Sequence, residues 1–518
     1  MANLGMLDDV AAGVQGAGLA AVSAAAGQAD SAAPSALVSE GRAGAIRTDG
    51  TFLSSAGRVQ RDLTVAAVTA FASMQGLDEL VVLDAMSATG LRALRVALEV
   101  PACHTMLAND KCAAAHACLE HNVAQHRDAL AHAGVRVECS CLDASEAMAR
   151  FHAAGRRIDV IDIDPFGSPM HAVPAALACV RPGGLLSLAF FDLHVLCGSS
   201  SDHGHAFSVY GGAPLKLRCA HEVAVRLALA SVCRAAAGVG RWVEPMLCAH
   251  MQCCVRLLVR VNVADACCAG AREPGGESSD GATGPNCTLA APDASAVPPT
   301  PTLSYIWKCQ RCCSWALQGV RCGVALQTKA AECEVCGAAD GMELGGPIYE
   351  GSLIHAPFLG ACAATVEAGQ LRGTLASGRQ LPQLLSELAR ELPVALYHHL
   401  PSLAQALGVR QPPKRSRVAA ELCGRGFACS HSHVAVHFAL KTDAPLSVLC
   451  DVMRGLCGGS RQTAQKRKLH VREGAAAPEP DTEADAAEMA SQSVVAAAAA
   501  DAKTSATDAK EGTLNRRQ

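Results

Sequence analysis

Asp164, Pro165 and Phe166 directly follow the apolar run 158–163, and together they offer groups that could do chemistry. The run predicts a buried strand that ends at Asp164. The Asp164 carboxylate and the Pro165 carbonyl can each accept an N–H bond, and the Phe166 ring can stack on a flat heterocycle. This combination favours a site that holds the exocyclic amine of a nucleobase beside a methyl donor.

A second motif, Asp84-Ala-Met-Ser-Ala-Thr-Gly90-Leu-Arg92, connects a predicted strand to a predicted helix. A glycine loop at this point lets a ligand approach the backbone, and a helix N-terminus favours a carboxylate or phosphate. The G-x-G-x-x-G fingerprint of dinucleotide sites is absent from the motif. A single glycine among small residues instead favours the amino-acid end of S-adenosylmethionine.

Two further acids end predicted strands. In a doubly wound sheet Asp110 is placed to bind ribose hydroxyls, and Asp143 can accept a hydrogen bond from an adenine amino group. Each acid alone could be a simple strand-end cap. Acids at four successive strand ends favour a binding site instead. The four are Asp84, Asp110, Asp143 and Asp164.

Two C-x2-C pairs, separated by twenty residues, indicate a metal site. The four cysteines are Cys309, Cys312, Cys333 and Cys336. Paired thiolates at this spacing are typical of tetrahedral, structural zinc. Cys313 and Cys322 lie close enough in sequence to substitute for one of the four, and reduced, metal-free thiols are the alternative to zinc.

The elements that must position these residues alternate between strand and helix. Strands are predicted at 80–84, 105–110, 135–141, 158–164, 185–191 and 254–261, and helices at 91–99, 113–126 and 222–237. This alternation predicts an α/β fold with a Rossmann-like, doubly wound, mostly parallel sheet of the class I methyltransferase kind. A second, smaller, zinc-containing α+β domain is predicted to follow it.

Composition divides the chain into five predicted parts. They are a disordered leader (1–36), an α/β domain (37–263), a disordered linker (264–302), a domain that opens with the cysteine pairs (303–450), and a basic then acidic low-complexity tail (451–518). The leader contains neither Lys nor Arg, which argues against a secretory signal and against a transit peptide. The linker is rich in Gly, Ser and Pro and has no hydrophobic periodicity.

Length and charge set further limits. A chain of 518 residues is expected to form two folded domains, and no apolar run reaches the roughly 18 residues that a membrane helix needs. The net charge is −4, and the segment from Glu479 onward, with eight acidic and four basic residues, accounts for it. Local basic clusters can therefore contact phosphate or be solvated surface. They are Lys414, Arg415 and Arg417, and then Arg461, Lys466, Arg467, Lys468 and Arg472.

In the order and spacing of its motifs, the chain resembles the tRNA (guanine-26, N2) dimethyltransferases over most of residues 38–450. Two matching stretches are the Asp84 and Asp164 motifs described above. The others are Glu40-Gly41-Arg42-Ala43, Gln60-Arg61-Asp62-Leu63, Tyr210-Gly211-Gly212, His221-Glu222, Gly346-Pro347-Ile348-Tyr349 and Lys441-Thr442-Asp443-Ala444-Pro445.

The resemblance implies an enzyme that transfers methyl groups from S-adenosylmethionine to the N2 of guanine 26 in tRNA, twice. It implies that residues 37–263 form the methyltransferase domain and residues 303–450 a zinc-ribbon and tRNA-binding domain. The catalytic residues it implies are Asp164, Pro165 and Phe166, with Phe52 and Phe166 as the walls of the base pocket. The donor-binding residues it implies are Arg61, Asp84, Gly90, Arg92, Asp110, Asp143 and Ala144. Among these, Arg61 would bind the methionine carboxylate, with Arg92 close by.

Two alternatives stay open. One is a methyltransferase for another RNA or protein amine, and the other is a zinc-dependent RNA-binding protein that has lost catalysis. Phe191-Asp192, where the family has Thr-Asp, favours the second alternative, whereas the four strand-end acids favour an enzyme. Lys466-Arg467-Lys468 is a minimal basic signal for the nucleus, with the mitochondrion and the cytoplasm as alternatives.

Overall fold

The computed structural model describes a large, discontinuous part of the chain. The described residues are 37–47, 53, 57–199, 203–263, 302–320, 333–339, 341–367, 371, 373–409, 411–434 and 438–457. The predicted leader, almost all of the predicted linker, Phe52, Cys322 and the basic cluster 461–472 lie outside them. Within the described ranges, no helix has the length and apolar character needed to cross a membrane.

A seven-stranded sheet forms the centre of the fold, preceded by a hairpin of β1 (Leu37–Glu40) and β2 (Ala43–Ile46). Its strands are β3 (Leu80–Asp84), β4 (Cys103–Asn109), β5 (Arg136–Ser140), β6 (Ile158–Ile163), β7 (Val180–Phe190), β8 (Arg241–Met251) and β9 (Cys254–Val263). The strand order is β5-β4-β3-β6-β7-β9-β8. Strands β3 to β7 pair in parallel, and β9 is antiparallel to both neighbours. The predicted doubly wound sheet is confirmed; β8 was not predicted.

Helices cover both faces of this sheet. They are α1 (Arg58–Gln75), α2 (Leu91–Glu99), α3 (Ala113–Gln125), α4 (Arg127–His132), α5 (Ala144–Ala153), α6 (Val173–Cys179), α7 (Leu193–Leu196), α8 (His203–Tyr210) and α9 (Ala220–Gly238). Side chains alternate across a strand, so Leu83 packs in the core under α6 and α9, whereas Val82 packs in the core under α1 and α2. Because both faces of the sheet are covered at its centre, the parallel strands β3 and β6 are buried and largely apolar.

The remaining elements have mixed α+β character, as predicted. They are β10 (Leu303–Cys309), β11 (Trp315–Gly319), β12 (Met342–Tyr349), α10 (Ala356–Glu367), α11 (Gln380–Arg390), β13 (His398–His399), α12 (Leu400–Ala406), α13 (Arg415–Gly424), β14 (Cys429–Ser430), β15 (Ala439–Thr442) and α14 (Leu446–Leu456). The predicted domain end at residue 450 falls inside α14.

The predicted second domain does not have one core of its own. Phe358 of α10 and Leu385 of α11 pack in the same core as Phe71 of α1, against the central sheet. Ile348 of β12 packs in the core on the opposite face. Among the described residues, a smaller unit has a separate core, which includes Leu422 and the cysteine pairs. We call β13–β15 and α12–α14 with those pairs the C-terminal module.

A buried group of charges attaches this module to α9, and we call it the anchoring cluster. It consists of Glu222, Arg226, Glu391, His433 and Lys441, whose side chains are at most 7% exposed. The Lys441 Nζ lies 2.9 Å from Glu222 Oε1 and 2.7 Å from Glu391 Oε1. Arg226 donates to the carbonyls of Tyr349, Glu350, Gly351 and Val394. Three of the stretches that resemble the family therefore meet in one structural cluster.

Candidate active site

The predicted site residues lie at the carboxyl edge of the sheet, where its order reverses. Asp84 ends β3, Asn109 ends β4, and Asp164 follows β6. Because β3 lies between β4 and β6, these strand ends surround one crevice. Ligands of open α/β sheets bind at such a switch point.

The loop between β3 and α2 is shaped for close approach. Gly90 has a φ of +79°, and Ala88, a non-glycine residue, has a φ of +47°. A Cβ on Gly90 would lie 2.4 Å from Leu119 Cδ1 of α3, so the loop can pack on α3 only with glycine there. The Ala88 amide donates to Asp110 Oδ2 at 2.9 Å, which joins this loop to the end of β4.

Asn109 is a site residue whose role the sequence analysis missed. Its Nδ2 donates to the carbonyls of Ala85 at 3.1 Å and Leu142 at 2.9 Å. Its Oδ1 accepts from Ser140 Oγ at 2.7 Å. One buried side chain thus holds together the loops after β3, β4 and β5. The available signal was a polar residue at the last position of an apolar strand.

Asp110 and Asp143 are already engaged by backbone amides. The two carboxylate oxygens of Asp110 accept from the amides of Ala88 and Cys112, each at 2.9 Å. Asp143 caps α5 by accepting from the Ser145 amide at 2.9 Å, and the adjacent Ala144 is buried. A carboxylate has about four acceptor positions, so both acids keep capacity for a ligand. Their roles toward ribose and adenine stay predictions.

Three carboxylates and two guanidinium groups meet beneath the crevice, and we call them the acid–arginine cluster. They are Asp84, Asp162, Asp164, Arg92 and Arg256. Arg92 forms ion pairs with both Asp162 and Asp164, which share one face of the β6 strand because they are two residues apart. Arg256 pairs with Asp162, and its Nη1 lies 4.0 Å from Asp164 Oδ1. Neither Asp162 nor Arg256 was predicted.

Asp84 is the unpaired acid of this cluster. It is 1% exposed, and neither of its oxygens makes a well-formed hydrogen bond to a described residue; the Met86 amide interacts only weakly. Burial, opposed by the charge of Arg92 and aided by the charges of Asp162 and Asp164, raises the pKa of Asp84 to about 7. An unpaired buried carboxylate of this kind can receive a cationic group of a ligand.

Two other members of the cluster, Arg92 and Asp162, are held in their charged forms. Burial alone would lower the pKa of Arg92, but the neighbouring carboxylates hold it well above its ordinary value. Burial alone would raise the pKa of Asp162, but Arg256 and Arg92 lower it. Asp162 and Arg92 therefore stay ionised around neutral pH, whereas Asp84 titrates there.

Arg61 lies in α1 and is paired within the protein. Its Nε and Nη2 donate to the two oxygens of Glu40, each at 2.7 Å. The neighbouring Asp62 accepts from Arg95 Nη1 at 2.6 Å and from the Ser377 amide at 2.7 Å. Two stretches that resemble the family, those around Glu40 and Arg61, thus contact each other. The predicted role of Arg61 toward the methionine carboxylate stays a prediction.

Phe166 stands at the surface of the crevice, with 60% of the residue exposed, whereas Pro165 is buried. Gly167 has a φ of +97°, and its carbonyl accepts from the Phe191 amide at 2.9 Å. The residue that differs from the family, Phe191, therefore holds the Asp164 loop through its backbone. Such a contact does not depend on the side chain, and an exposed ring can meet the base of a large substrate.

The four predicted cysteines come together. Their sulfur atoms all lie within 4.8 Å of one another, with 3.7 Å between Cys309 and Cys336 and 3.5 Å between Cys312 and Cys333. Thiolates at about 2.3 Å from a tetrahedral ion would be about 3.8 Å apart. Cys313 is exposed and does not join the group, and Cys322 lies outside the described residues. The four cysteines could hold a metal ion.

A seven-stranded sheet in this order, with acids around a glycine loop at its switch point, defines the Rossmann-like fold of class I methyltransferases. The chain matches the family described as N2,N2-dimethylguanosine tRNA methyltransferase over residues 38–271 and 295–454. It belongs to this family.

Individual relatives agree with this assignment. The chain is 32% identical to the human tRNA (guanine(26)-N(2))-dimethyltransferase, over 72% of this chain and 52% of the human one. It is 28% identical to the mitochondrial enzyme of the same name from Saccharomyces cerevisiae, over 72% and 62% of the two chains. The chain thus spans about half the length of its human relative.

A solved structure shares the fold. Trm1 from Pyrococcus horikoshii, in complex with S-adenosyl-L-methionine, superposes with a TM-score of 0.63 at 21% identity. The match covers 81% of this chain and 99% of the archaeal one. The shared architecture therefore includes the C-terminal elements as well as the central sheet.

Proposed function

We propose that this chain is a tRNA methyltransferase that transfers methyl groups from S-adenosylmethionine to the N2 of guanine 26, twice. Family membership and the names of the relatives support the reaction and the substrate. The observation that carries the proposal is the placement of Asp164, Pro165 and exposed Phe166 at the switch point, beside the loop that follows Asp84. The alternative of an RNA-binding protein without catalysis is not favoured, because the strand-end acids surround one crevice.

The residues at the crevice fit the methyl donor. The buried, unpaired oxygens of Asp84 match a ligand that carries an ammonium group. Asp110 would hold the ribose, and Asp143 with Ala144 would hold the adenine. Gly90, Arg92 and Arg61 would hold the methionine end. When bound, the donor supplies a methyl group on a positively charged sulfur.

Asp164 and Pro165 would prepare the guanine amine. The N2 lone pair of guanine is delocalised into the ring, so the amine is a poor nucleophile. The Asp164 carboxylate and the Pro165 carbonyl would accept its N–H bonds and favour a pyramidal nitrogen whose lone pair faces the methyl group. Positioning of this kind would lower the activation barrier by roughly several kcal/mol, the order of magnitude expected for oriented reactants. Phe166 would stack on one face of the base and Phe52 on the other.

Asp164 would also stabilise the charge of the reacting amine. Its carboxylate would stabilise the positive charge that develops on N2 during transfer. Its Oδ1 makes no hydrogen bond to a described residue, so an acceptor position remains unused. The N2 lone pair would form the new N–C bond as the bond between sulfur and the methyl group breaks, which leaves the sulfur neutral. The N2 proton would then pass to the Asp164 carboxylate, and a second donor molecule would give the dimethyl product.

We propose that the four cysteines hold structural zinc. Four thiolates complete a tetrahedron and leave no position for a substrate. Two of them, Cys309 and Cys333, pack in the core of the C-terminal module, so the ion would join β10 to that module. Metal analysis of the purified protein should find one zinc per chain, and chelation should lower the melting temperature. A metal-free, equally stable protein would contradict this proposal.

We propose that the start of α13 contacts the tRNA backbone. Lys414 and Arg417 are exposed, and no salt bridge to them or to Arg415 occurs within the described ranges. Arg415 and Arg390 both act on His431, whose pKa is lowered by burial and by these two cations. Converging, unneutralised cations on a surface are suited to phosphate.

We also propose that the protein acts in the nucleus, on the strength of the run Lys466-Arg467-Lys468. The yeast relative carries "mitochondrial" in its name, which keeps that compartment as the alternative. Microscopy of a fluorescent fusion, with and without alanine at these three positions, distinguishes the two. Loss of nuclear fluorescence in the alanine variant supports the targeting role of the basic run, and mitochondrial fluorescence of both proteins contradicts it.

The activity is tested by mass spectrometry of nucleosides from an unmodified tRNA transcript incubated with the protein and S-adenosylmethionine. The expected product is N2,N2-dimethylguanosine at position 26. The matched controls are a transcript with adenosine at position 26 and the Asp164→Asn variant, neither of which should gain the product. Monomethylguanosine alone would contradict double transfer, and no methylated guanine would contradict the substrate.

A further inference from the structure

Arg256 is a fully buried cation that the reaction described so far does not use. It lies in β9, two strands away from β6, and is 0% exposed. The register pairs Arg256 with Ala189 of β7 and Ser187 of β7 with Asp162 of β6. Directly paired residues point to the same face, so these side chains share one face of the sheet. The small Ala189 leaves room for the guanidinium to cross β7 toward β6.

Asp162 holds Arg256 and Arg92 side by side. One of its oxygens bonds Arg256 Nη2, and the other bonds Arg92 Nη1. Thr64 Oγ1 of α1 accepts from the same Nη2 of Arg256 at 3.1 Å. Asp162 is therefore an anchor for both cations rather than a free acid.

The rest of the Arg256 guanidinium is directed at Asp164. Its Nη1 lies 4.0 Å from Asp164 Oδ1, and no described residue accepts a hydrogen bond from its Nη1 or Nε. Asp164 Oδ1 is likewise without a hydrogen-bond partner among the described residues. A buried cation with unused donors is costly to the fold unless its charge acts on a neighbour. That neighbour is Asp164.

We propose that Arg256, anchored by Asp162 and Thr64, is a positioning residue whose buried guanidinium orients the Asp164 carboxylate for the guanine amine. This inference rests on the proposed function of Asp164. Arg256 would not touch the substrate; it acts through the carboxylate.

The other groups that face Asp164 come from several elements. They are Arg92 of α2, Asp84 of β3, Asp162 of β6, and Cys253 and Cys254 at the turn into β9. Burial raises the pKa of both thiols, so they stay neutral where the enzyme would work. The charges that act on Asp164 are thus Arg92 and Arg256 on one side and Asp162 and Asp84 on the other.

The test compares Arg256→Met and Arg256→Lys with a control, Arg260→Met, in the full-length protein. Arg260 lies in the same strand but pairs with Glu244 at the surface. Methyl transfer to a tRNA transcript gives kcat and KM, and calorimetry gives donor affinity. We expect Arg256→Met to lower kcat by on the order of 10²-fold with little change in the KM for tRNA or in donor affinity. Arg256→Lys should recover part of kcat because it restores the charge, and Arg260→Met should match the parent protein.

The rate–pH profile gives a second readout. A carboxylate that loses a neighbouring cation takes up a proton more readily, so the acidic limb of the Arg256→Met profile should move to higher pH. An unchanged profile and kcat in a folded Arg256→Met protein, or equal impairment of the Lys and Met variants, would overturn the proposal. If Arg256→Met does not fold, Thr64→Val replaces it. That variant removes one anchor without removing charge, and an unchanged kcat would overturn the proposal equally.

The outcomes also separate this inference from the proposed function. If the parent protein methylates no guanine, the proposed function fails. If the parent is active and Asp164→Asn is inactive while Arg256→Met is normal, only the positioning role fails.

Discussion

Two buried groups of charges, the acid–arginine cluster and the anchoring cluster, use similar residues for different ends. In the anchoring cluster the donors are used: Lys441 bonds Glu222, Glu391 and the Val394 carbonyl at 2.9, 2.7 and 3.1 Å. In the acid–arginine cluster, atoms of Asp84, Asp164, Arg92 and Arg256 lack partners within the described residues. Among the buried side-chain atoms of the anchoring cluster, Glu222 Oε2 alone has no hydrogen-bond partner within the described residues. Charges that stabilise a fold are satisfied, whereas charges kept for a ligand are not.

One acid from each cluster, Asp84 and Glu391, has its pKa shifted in the opposite direction from the other. Burial raises the pKa of Asp84 to about 7 because no cation fully compensates it. Burial also acts to raise the pKa of Glu391, but the hydrogen bond and charge of His433 and the charge of Lys441 lower it to about 2. The comparison teaches that burial alone does not decide the charge of an acid; the number of its cationic and hydrogen-bonding partners does.

The largest effect is expected at Asp164. Asp164→Asn keeps the size of the side chain but removes its charge, so methyl transfer should fall by about 10³-fold, the order found for electrostatic groups at a reacting centre. Single-turnover assays measure the loss, and calorimetry should show that the donor still binds. Asp451→Asn is the matched control, because the Asp451 side chain is 70% exposed and lies in α14 of the C-terminal module. Substantial turnover by Asp164→Asn would contradict the distinction between the two clusters, because the unpaired Oδ1 of Asp164 would then have no role in the reaction.

Next in size is the loss of the anchoring cation. Lys441→Met leaves Glu222 and Glu391 buried without their shared partner, and should lower the free energy of unfolding by about 3–5 kcal/mol. The specific activity of the folded fraction should change little. Urea unfolding measures the free energy of unfolding. Lys308→Met is the control, because Lys308 pairs with a 36% exposed Glu343. This control substitution should lower the free energy of unfolding by less than about 1 kcal/mol. A stable but inactive Lys441→Met protein would show that this cluster is not purely structural.

A smaller effect is expected from the titration of Asp84. Its pKa is higher in the folded protein than its ordinary 3.8, so the folded state binds more protons between these values and its stability falls as pH rises from about 4 to about 7. A donor ammonium would pair with the ionised form. Donor affinity should therefore rise about tenfold per pH unit at most below 7, with about one proton released on binding near pH 6.

Calorimetry in buffers of different ionisation enthalpy measures that proton. The Asp84→Asn variant is the control and should bind more weakly without proton release. Proton release that persists in this variant would assign the titration to another group. For Glu391 the opposite dependence holds: its contribution is complete above its ordinary pKa of 4.5 and is lost as pH falls toward about 2.

The smallest effect is expected at the surface cations. Lys414→Ala with Arg417→Ala should raise the KM for tRNA a few-fold and reduce the salt dependence of binding by about two phosphate contacts. Filter binding at several salt concentrations measures the slope. Replacement of Arg136 and Arg150 by alanine is the matched control, because both are exposed cations that pair with acids. Equal effects from both pairs would mean a general charge effect rather than a tRNA-binding surface.

Local patterns made much of the fold predictable. The apolar runs that became β3 and β6 stand out because both faces of a parallel sheet are buried. β8 was missed because it is an edge strand that contains Glu244 and Pro245, with an irregular register between Pro245 and Leu247. A proline within a run argues against a strand, although an edge or a bulge tolerates it.

The domain division was only partly predictable. The chain from residue 303 follows the predicted linker and carries its own cysteine motif, so the sequence predicts a separate domain there. Its helices α10 and α11 nevertheless pack on α1 and the central sheet. An amphipathic helix shows in sequence which face it buries, but not against which partner it does so.

By itself the sequence determined the chemistry-bearing motifs: the acids at strand ends, the glycine loop before Arg92, the Asp164-Pro165-Phe166 run and the paired cysteines. Each is encoded by neighbours within a few residues, because strand ends and short turns impose local rules. Only the tertiary structure decided that Arg256 reaches Asp162, that Asn109 holds three loops, and that Arg61 pairs with Glu40. These contacts join residues that are distant in the chain, and strand order and register, rather than local pattern, bring them together.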